Sequence, residues 1–233
     1  MIILCIISGF VFKNYWKAHN RKGWIGALVG VAVATVVVLF GETMHIRSQQ
    51  KYEAAELVSE IKKDATDLAK SGFDEQGFTK PIEKQLDTTP THTGDLGEEE
   101  RFVKTFLNNI ASLHNDYGRE LDAIGWGNIL NPDRVKQDKN LIRSRETIQK
   151  ARNIVAKYRA NTYTLIEKSQ NDINMLNVSE TSKKQILNGF NSGLSTTRPR
   201  IDAIWDLEEK TVSEFDNIFN FLATRRGAYS GAT

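Results

Sequence analysis

The residues in this chain that could do chemistry are four histidines, a run of three glutamates and a single cysteine, and their spacing argues against most of the chemistry they offer. His19, His45, His92 and His114 are too far apart in sequence for a local metal-binding pair, and none sits in a His-Glu-x-x-His pattern. Glu98-Glu99-Glu100, with Asp116 and Glu120 further on, supplies carboxylates that in pairs could run general acid–base chemistry or hold a metal. A di-metal helical bundle, however, needs inward glutamates and Glu-x-x-His elements on facing helices. Here the positions expected to face inward are apolar, so the triplet better suits the positive end of a helix dipole. Cys5 lies in an apolar segment, which leaves the remainder without a thiol for a disulfide, a zinc site or a nucleophile. Gly125-Trp126-Gly127 lacks both the preceding strand and the following Gly-Lys-Ser/Thr of a phosphate loop. No catalytic, cofactor-binding or metal-binding residue is therefore assigned, and a non-enzymatic role is expected.

Hydropathy sets the elements around these groups. Trp24–Phe40 reads WIGALVGVAVATVVVLF, seventeen residues without a charge. As a helix this run rises about 26 Å, enough for a thin bilayer core. Met1–Phe12 is a second apolar stretch. Carried through Tyr15 and Trp16 it reaches about 24 Å and sets aromatic rings at the headgroup level, where Trp24 opens the second helix. The preferred expectation is a transmembrane hairpin over 1–41 closed by a basic loop at 13–23, with a single span as the alternative. A cleaved signal peptide fits less well, because apolar residues continue past Ala32-Val33-Ala34. Gly26, Gly30 and Ala34 make a face of small residues that lets another helix approach closely in lipid, either within the hairpin or from a second chain.

Lys13, Lys17, Arg21 and Lys22 are the only Lys, Arg, Asp or Glu residues in 1–41. The positive-inside rule puts their loop in the cytoplasm and the chain after residue 41 outside. In a bacterium that means an inner-membrane protein with a periplasmic domain. Of the 31 basic residues, 27 remain beyond residue 41 against 29 acids, a slightly acidic balance with no footprint for nucleic acid.

Beyond the anchor the expected class is all-α: an elongated antiparallel helical bundle with coiled-coil-like heptads. A stalk helix is expected over 42–71, with Leu57, Ile61, Ala65 and Leu68 on one face and Gly72 as its cap. Residues 72–97 are rich in Gly, Pro and Thr and read as a flexible connector, with a short helix opening at Thr79-Lys80-Pro81. The bundle is expected over 98–226. Phe102, Phe106, Ile110, Leu113, Tyr117, Leu121 and Ile124 step by four and three along its first helix, which Gly125 stops. A long helix from Asp133 to Leu176 repeats Leu141, Ile148 and Val155 every seven residues. Ser179 caps the next helix, whose core line runs from Ile186 to Leu222 through Pro199, where a kink or break near Ser195–Arg198 is expected. Residues 227–233 should fray.

Two surface features remain. Trp126 either plugs the end of the bundle or meets a partner. Arg143, Arg145, Lys150 and Arg152 either form a solvated face or attract an anionic surface. The expected partners are a lipid bilayer and a protein, the latter a different chain or a second copy. The resulting expectation is a membrane-anchored helical interaction or scaffold protein. The alternatives are an extracytoplasmic ligand sensor acting through a signalling partner, and a membrane-remodelling or pore-forming hairpin regulated by the bundle. Phe106→Asp should unfold the bundle, at a cost of about 4 kcal/mol or more; a thermal melt unchanged from the parent would remove Phe106 from the core.

Overall fold

The structure is a computed structural model that describes residues 51–71 and 81–230. The expected anchor, with Tyr15, Trp16, Trp24, Gly26, Gly30 and Ala34, lies outside the described residues, as do the start of the stalk helix, Gly72 and Thr79-Lys80. Among the described residues all regular structure is helical, and no helix is long and apolar enough to cross a membrane. The helices are α1 (Lys51–Ser71), α2 (Gly94–Ala123), α3 (Pro132–Gln137), α4 (Ile142–Met175) and α5 (Glu180–Ser230). Short 3-10 turns occupy Trp126–Asn128 and Lys139–Leu141. The chain divides into two compact units. Among the described residues, the first holds 51–71, 81–114 and Leu165–Ile201, and the second holds Asn115–Thr164 and 202–230.

The first unit is built on the apolar lines legible in the sequence. Leu57, Ile61, Ala65 and Leu68 of α1 are buried with Phe102, Val103, Phe106 and Leu107 of α2 and with Ile173, Ile186 and Phe190. Phe190 meets Phe106 edge-on at 5.6 Å between ring centres and Phe102 at 6.3 Å, and the rings of Phe102 and Phe106 stack at 6.4 Å. Burying each such ring contributes roughly 1.5–3 kcal/mol. The stalk helix is thus a core element of this unit as far as its described part goes.

Residues 81–93 carry no helix. Instead they form a strap held against α2. Ile82 and Leu86 bury their side chains in the same core. The Leu86 backbone makes both its hydrogen bonds with one side chain, donating to Asn108 Oδ1 and accepting from Asn108 Nδ2, each at 2.9 Å. Where the strap crosses the helix only glycine fits, because a Cβ on Gly97 would stand 2.4 Å from the His92 carbonyl oxygen. The expected flexible connector is therefore docked along this stretch. The helix it precedes begins at Gly94, one turn before the expected Glu98, so the acid triplet occupies the second turn of α2.

In the second unit α4 and α5 run antiparallel. Tyr163 bonds Asp202, Arg159 pairs with Asp206 at 3.0 Å, Arg152 with Asp216 at 3.1 Å, and Arg145 donates to Asn220 at 3.3 Å. Position rises along α5 as it falls along α4. These exposed pairs add little stability but mark the register. The core here comprises Tyr117, Leu121, Ile148, Val155, Tyr158, Trp205, Val212, Phe215 and Phe219, all buried.

Two expectations about helix continuity need correction. The helix expected from Asp133 to Leu176 is broken at 138–141, where Asn140 and Leu141 adopt φ of 56° and 57°. The cause is capping chemistry. Asn131 accepts from the Asp133 and Arg134 amides and starts α3 with Pro132 in its first turn. Asp138 then accepts from the Arg143 amide at 3.1 Å, the Ser144 amide at 2.8 Å and the Ser144 hydroxyl at 2.6 Å, which starts α4 afresh. Conversely, α5 is helical throughout despite Pro199. The hydroxyls of Ser195, Thr196 and Thr197 donate to the carbonyls of Ser192 and Gly193, one turn back. Asp138→Ala should cost about 1–2 kcal/mol in chemical denaturation, and Asp138→Asn less; no loss in the alanine variant would show that α4 starts without this carboxylate.

Candidate functional site

The three consecutive glutamates of α2 meet three different environments. Glu98 pairs with Arg101 one turn on at 3.0 Å, at the surface. One carboxylate oxygen of Glu99 is enclosed without a hydrogen-bond partner, and burial, helped by the charge of Asp95, pushes its pKa up to about 7. Glu100 is fully buried. It accepts from the amides of Thr91 (2.9 Å) and His92 (3.0 Å), the Thr91 hydroxyl (3.1 Å), His92 Nδ1 (2.9 Å) and Lys104 Nζ (2.6 Å). Burial raises its pKa, but the bonds from Lys104, His92 and Thr91 outweigh that and hold it down at about 2. Lys104 also reaches Glu60 of α1 at 3.1 Å. Its burial works against the charge, but the two carboxylates prevail and raise its pKa. This cluster fastens strap, α2 and α1 together, and its lone pairs are occupied by protein donors.

Asp95 performs a similar task beside it. Its carboxylate accepts from the Ser179 amide and from the hydroxyls of Ser179 and Ser182, the last two at 2.6 Å. Ser179 in turn accepts from the Ser182 amide at 3.2 Å, the N-cap expected from sequence. His114 is mostly enclosed, with no partner at Nδ1, and burial lowers its pKa to about 4, which keeps it neutral at pH 7. Among the described residues no group of three His, Cys, Asp or Glu is placed to hold a metal ion.

The second unit contains a buried acid that sequence reasoning missed. Glu208 sits on the core side of α5 and accepts from the Tyr117 hydroxyl at 2.9 Å. Burial drives its pKa well above the usual carboxylate range, beyond what the tyrosine bond recovers. Tyr117 packs edge-on against Tyr158 at 5.3 Å and Trp205 at 5.6 Å. Tyr158 donates to Glu120 at 2.9 Å, where Lys157 also binds. An acid on a line of apolar residues reads from sequence as a break in the line, so nothing marked Glu208 as internal.

Trp126 stands edge-on to Phe215 at 4.9 Å and is half-buried, a packing position. Of the basic stretch, Arg152 is engaged with Asp216 and Arg145 with Asn220, while Arg143 and Lys150 are exposed.

Met175 and Ile142 are exposed singly on α4, while several exposed apolar residues share one face of α5. Leu207, Ile218 and Phe221 are 42%, 40% and 59% exposed. With Thr211, Glu214 and Arg225, all exposed, they repeat at spacings of four and three. At about 100° per residue these six fall within an arc of about 80°, beside the buried line of Glu208, Val212, Phe215 and Phe219. The Arg225 guanidinium lies over the Phe221 ring, 5.3 Å from its centre. No protein-family model, curated protein or solved structure matches the chain. The second line was present in the sequence but overlaps in periodicity with the core line, which alone sufficed to explain a helix.

Two features stand out: the buried Glu100 carboxylate that ties strap, α2 and α1 together, and one amphipathic face of α5 directed at solvent. Glu100, with a folded pKa near 2 against an ordinary 4.5, contributes stability that is present above 4.5 and lost as pH falls through about 2. Glu100→Ala should cost about 3–5 kcal/mol at pH 7 and speed amide exchange at Thr91 and His92 while leaving Val155 protected. Unchanged exchange at those two amides would show that the strap is held by other contacts.

Proposed function

We propose that this chain is a membrane-anchored helical interaction protein without catalytic activity, held by residues 1–41 and presenting the exposed face of α5 to a protein. The observation that carries this reading is the line Leu207–Arg225, with Leu207, Ile218 and Phe221 turned to solvent beside a line of buried residues on the same helix. An apolar line that helical packing leaves uncovered is a surface for contact. The charge-free run Trp24–Phe40 supports the anchor, since seventeen such residues have the length and composition of a span. The basic loop at 13–23 supports an orientation with the helical units on the periplasmic side of a bacterial inner membrane. The partners are then the lipid bilayer and a protein.

The test uses the full chain with Cys5→Ser and Ser213→Cys, an exposed position whose hydroxyl bonds only the Glu209 carbonyl of its own helix. The protein should remain with membranes through an alkaline carbonate wash, and a membrane-impermeant thiol reagent should label position 213 in intact cells. Release by the wash would remove the anchor. Labelling only after lysis would reverse the orientation.

A further inference from the structure

The exposed face of α5 has a charge order that selects one occupant. Read along the helix it runs Leu207, Thr211, Glu214, Ile218, Phe221, Arg225. An acid precedes the two largest exposed apolar residues by one turn, and a base follows them by one turn. Such a sequence is complementary to itself when reversed. Resting on the interaction reading above, we propose that this face pairs with the same face of a second copy of the chain, antiparallel, about a two-fold axis between Ile218 and Phe221.

The register follows from the side chains. In an antiparallel pair of helices the residues of one line lie opposite those of the other in reverse order, and a two-fold contact repeats every interaction twice. With the axis midway between Ile218 and Phe221, each Ile218 packs on the partner's Phe221. One turn outward on either side, each Glu214 faces the partner's Arg225.

Alternative registers fail on the same residues. Sliding one step of the pattern toward the N-terminus sets Ile218 against the partner's Glu214 and buries a carboxylate on an apolar side chain. Sliding the other way sets Phe221 against Arg225 and leaves Glu214 without a cation opposite. A parallel pair would place Glu214 beside Glu214 and Arg225 beside Arg225, like charges in contact. Only the antiparallel register joins apolar to apolar and acid to base.

In the separate chain Arg225 covers part of the Phe221 ring. That contact shields an exposed aromatic until the partner's Ile218 replaces solvent on its other side. The paired line spans few turns, so its area is small for a stable complex in free solution. Anchoring both copies in one membrane raises their effective concentration, which is how a small face becomes sufficient.

The experiment uses the full chain in its membrane, with a photo-cross-linking phenylalanine analogue in place of Ile218. The expected product is an adduct at twice the 26.3 kDa monomer mass. Glu214→Arg and Arg225→Glu, each alone, should lower that product at least several-fold, and the two together should restore it, with thermal melts of all three equal to the parent because both sites are exposed. A dimer adduct indifferent to the charge exchanges would overturn the antiparallel pairing. An adduct only with a different protein would overturn self-association and leave the interaction reading standing. No adduct of any kind would remove both.

Discussion

Apolar lines of helices can slide past one another by a repeat at modest cost, and a buried carboxylate cannot. That constraint organises what is described of this molecule. Glu100 has five donors arranged around it, four from Thr91 and His92 of the strap and one from Lys104 of α2, which also bonds Glu60 of α1. Moving any of these elements by one residue would strand a charge away from water, a penalty far above that of a misfitted methyl group. Glu208 has a single donor, Tyr117, and sits among aromatic rings. In each unit a glutamate supplies the specificity that leucines and phenylalanines do not.

Much of the architecture was readable because burial follows a period. The lines through Leu57, Phe102, Phe106, Tyr117, Ile148, Phe190 and Phe219 are buried in the structure as their spacing implied. What periodicity could not show was the behaviour of polar residues inside it. Asp138 and Asn140 lie just before Leu141, the first member of the seven-residue repeat, inside the span expected as one helix, yet their side chains and backbones favour caps and left-handed conformations, and the helix restarts there. Pro199 misled in the other direction. A break was one outcome read from its missing donor, yet α5 is helical through it.

The strap illustrates a different limit. Its Gly, Pro and Thr content signals that it is neither helix nor strand, and that signal was sound. Irregular composition does not imply mobility, however. Ile82 and Leu86 give it a buried side, and Asn108 satisfies a backbone that has no ladder to join. The exposed face of α5 was hidden for a related reason: two apolar lines on one helix share a period, and the buried one accounts for the pattern by itself. Telling them apart requires knowing which residues the fold covers.

Two glycines of α2 show how one residue type carries opposite meanings within a single element. Glycine inside a helix weakens it relative to alanine by roughly 1 kcal/mol. At Gly118 a methyl group would meet nothing within 4 Å, so that weakness is uncompensated. At Gly97 the absent methyl is the room through which the His92 carbonyl passes. The helix there is less stable in isolation than it could be, and the molecule as a whole is more tightly assembled for it. Local order has been exchanged for a place where two pieces of backbone can lie against each other.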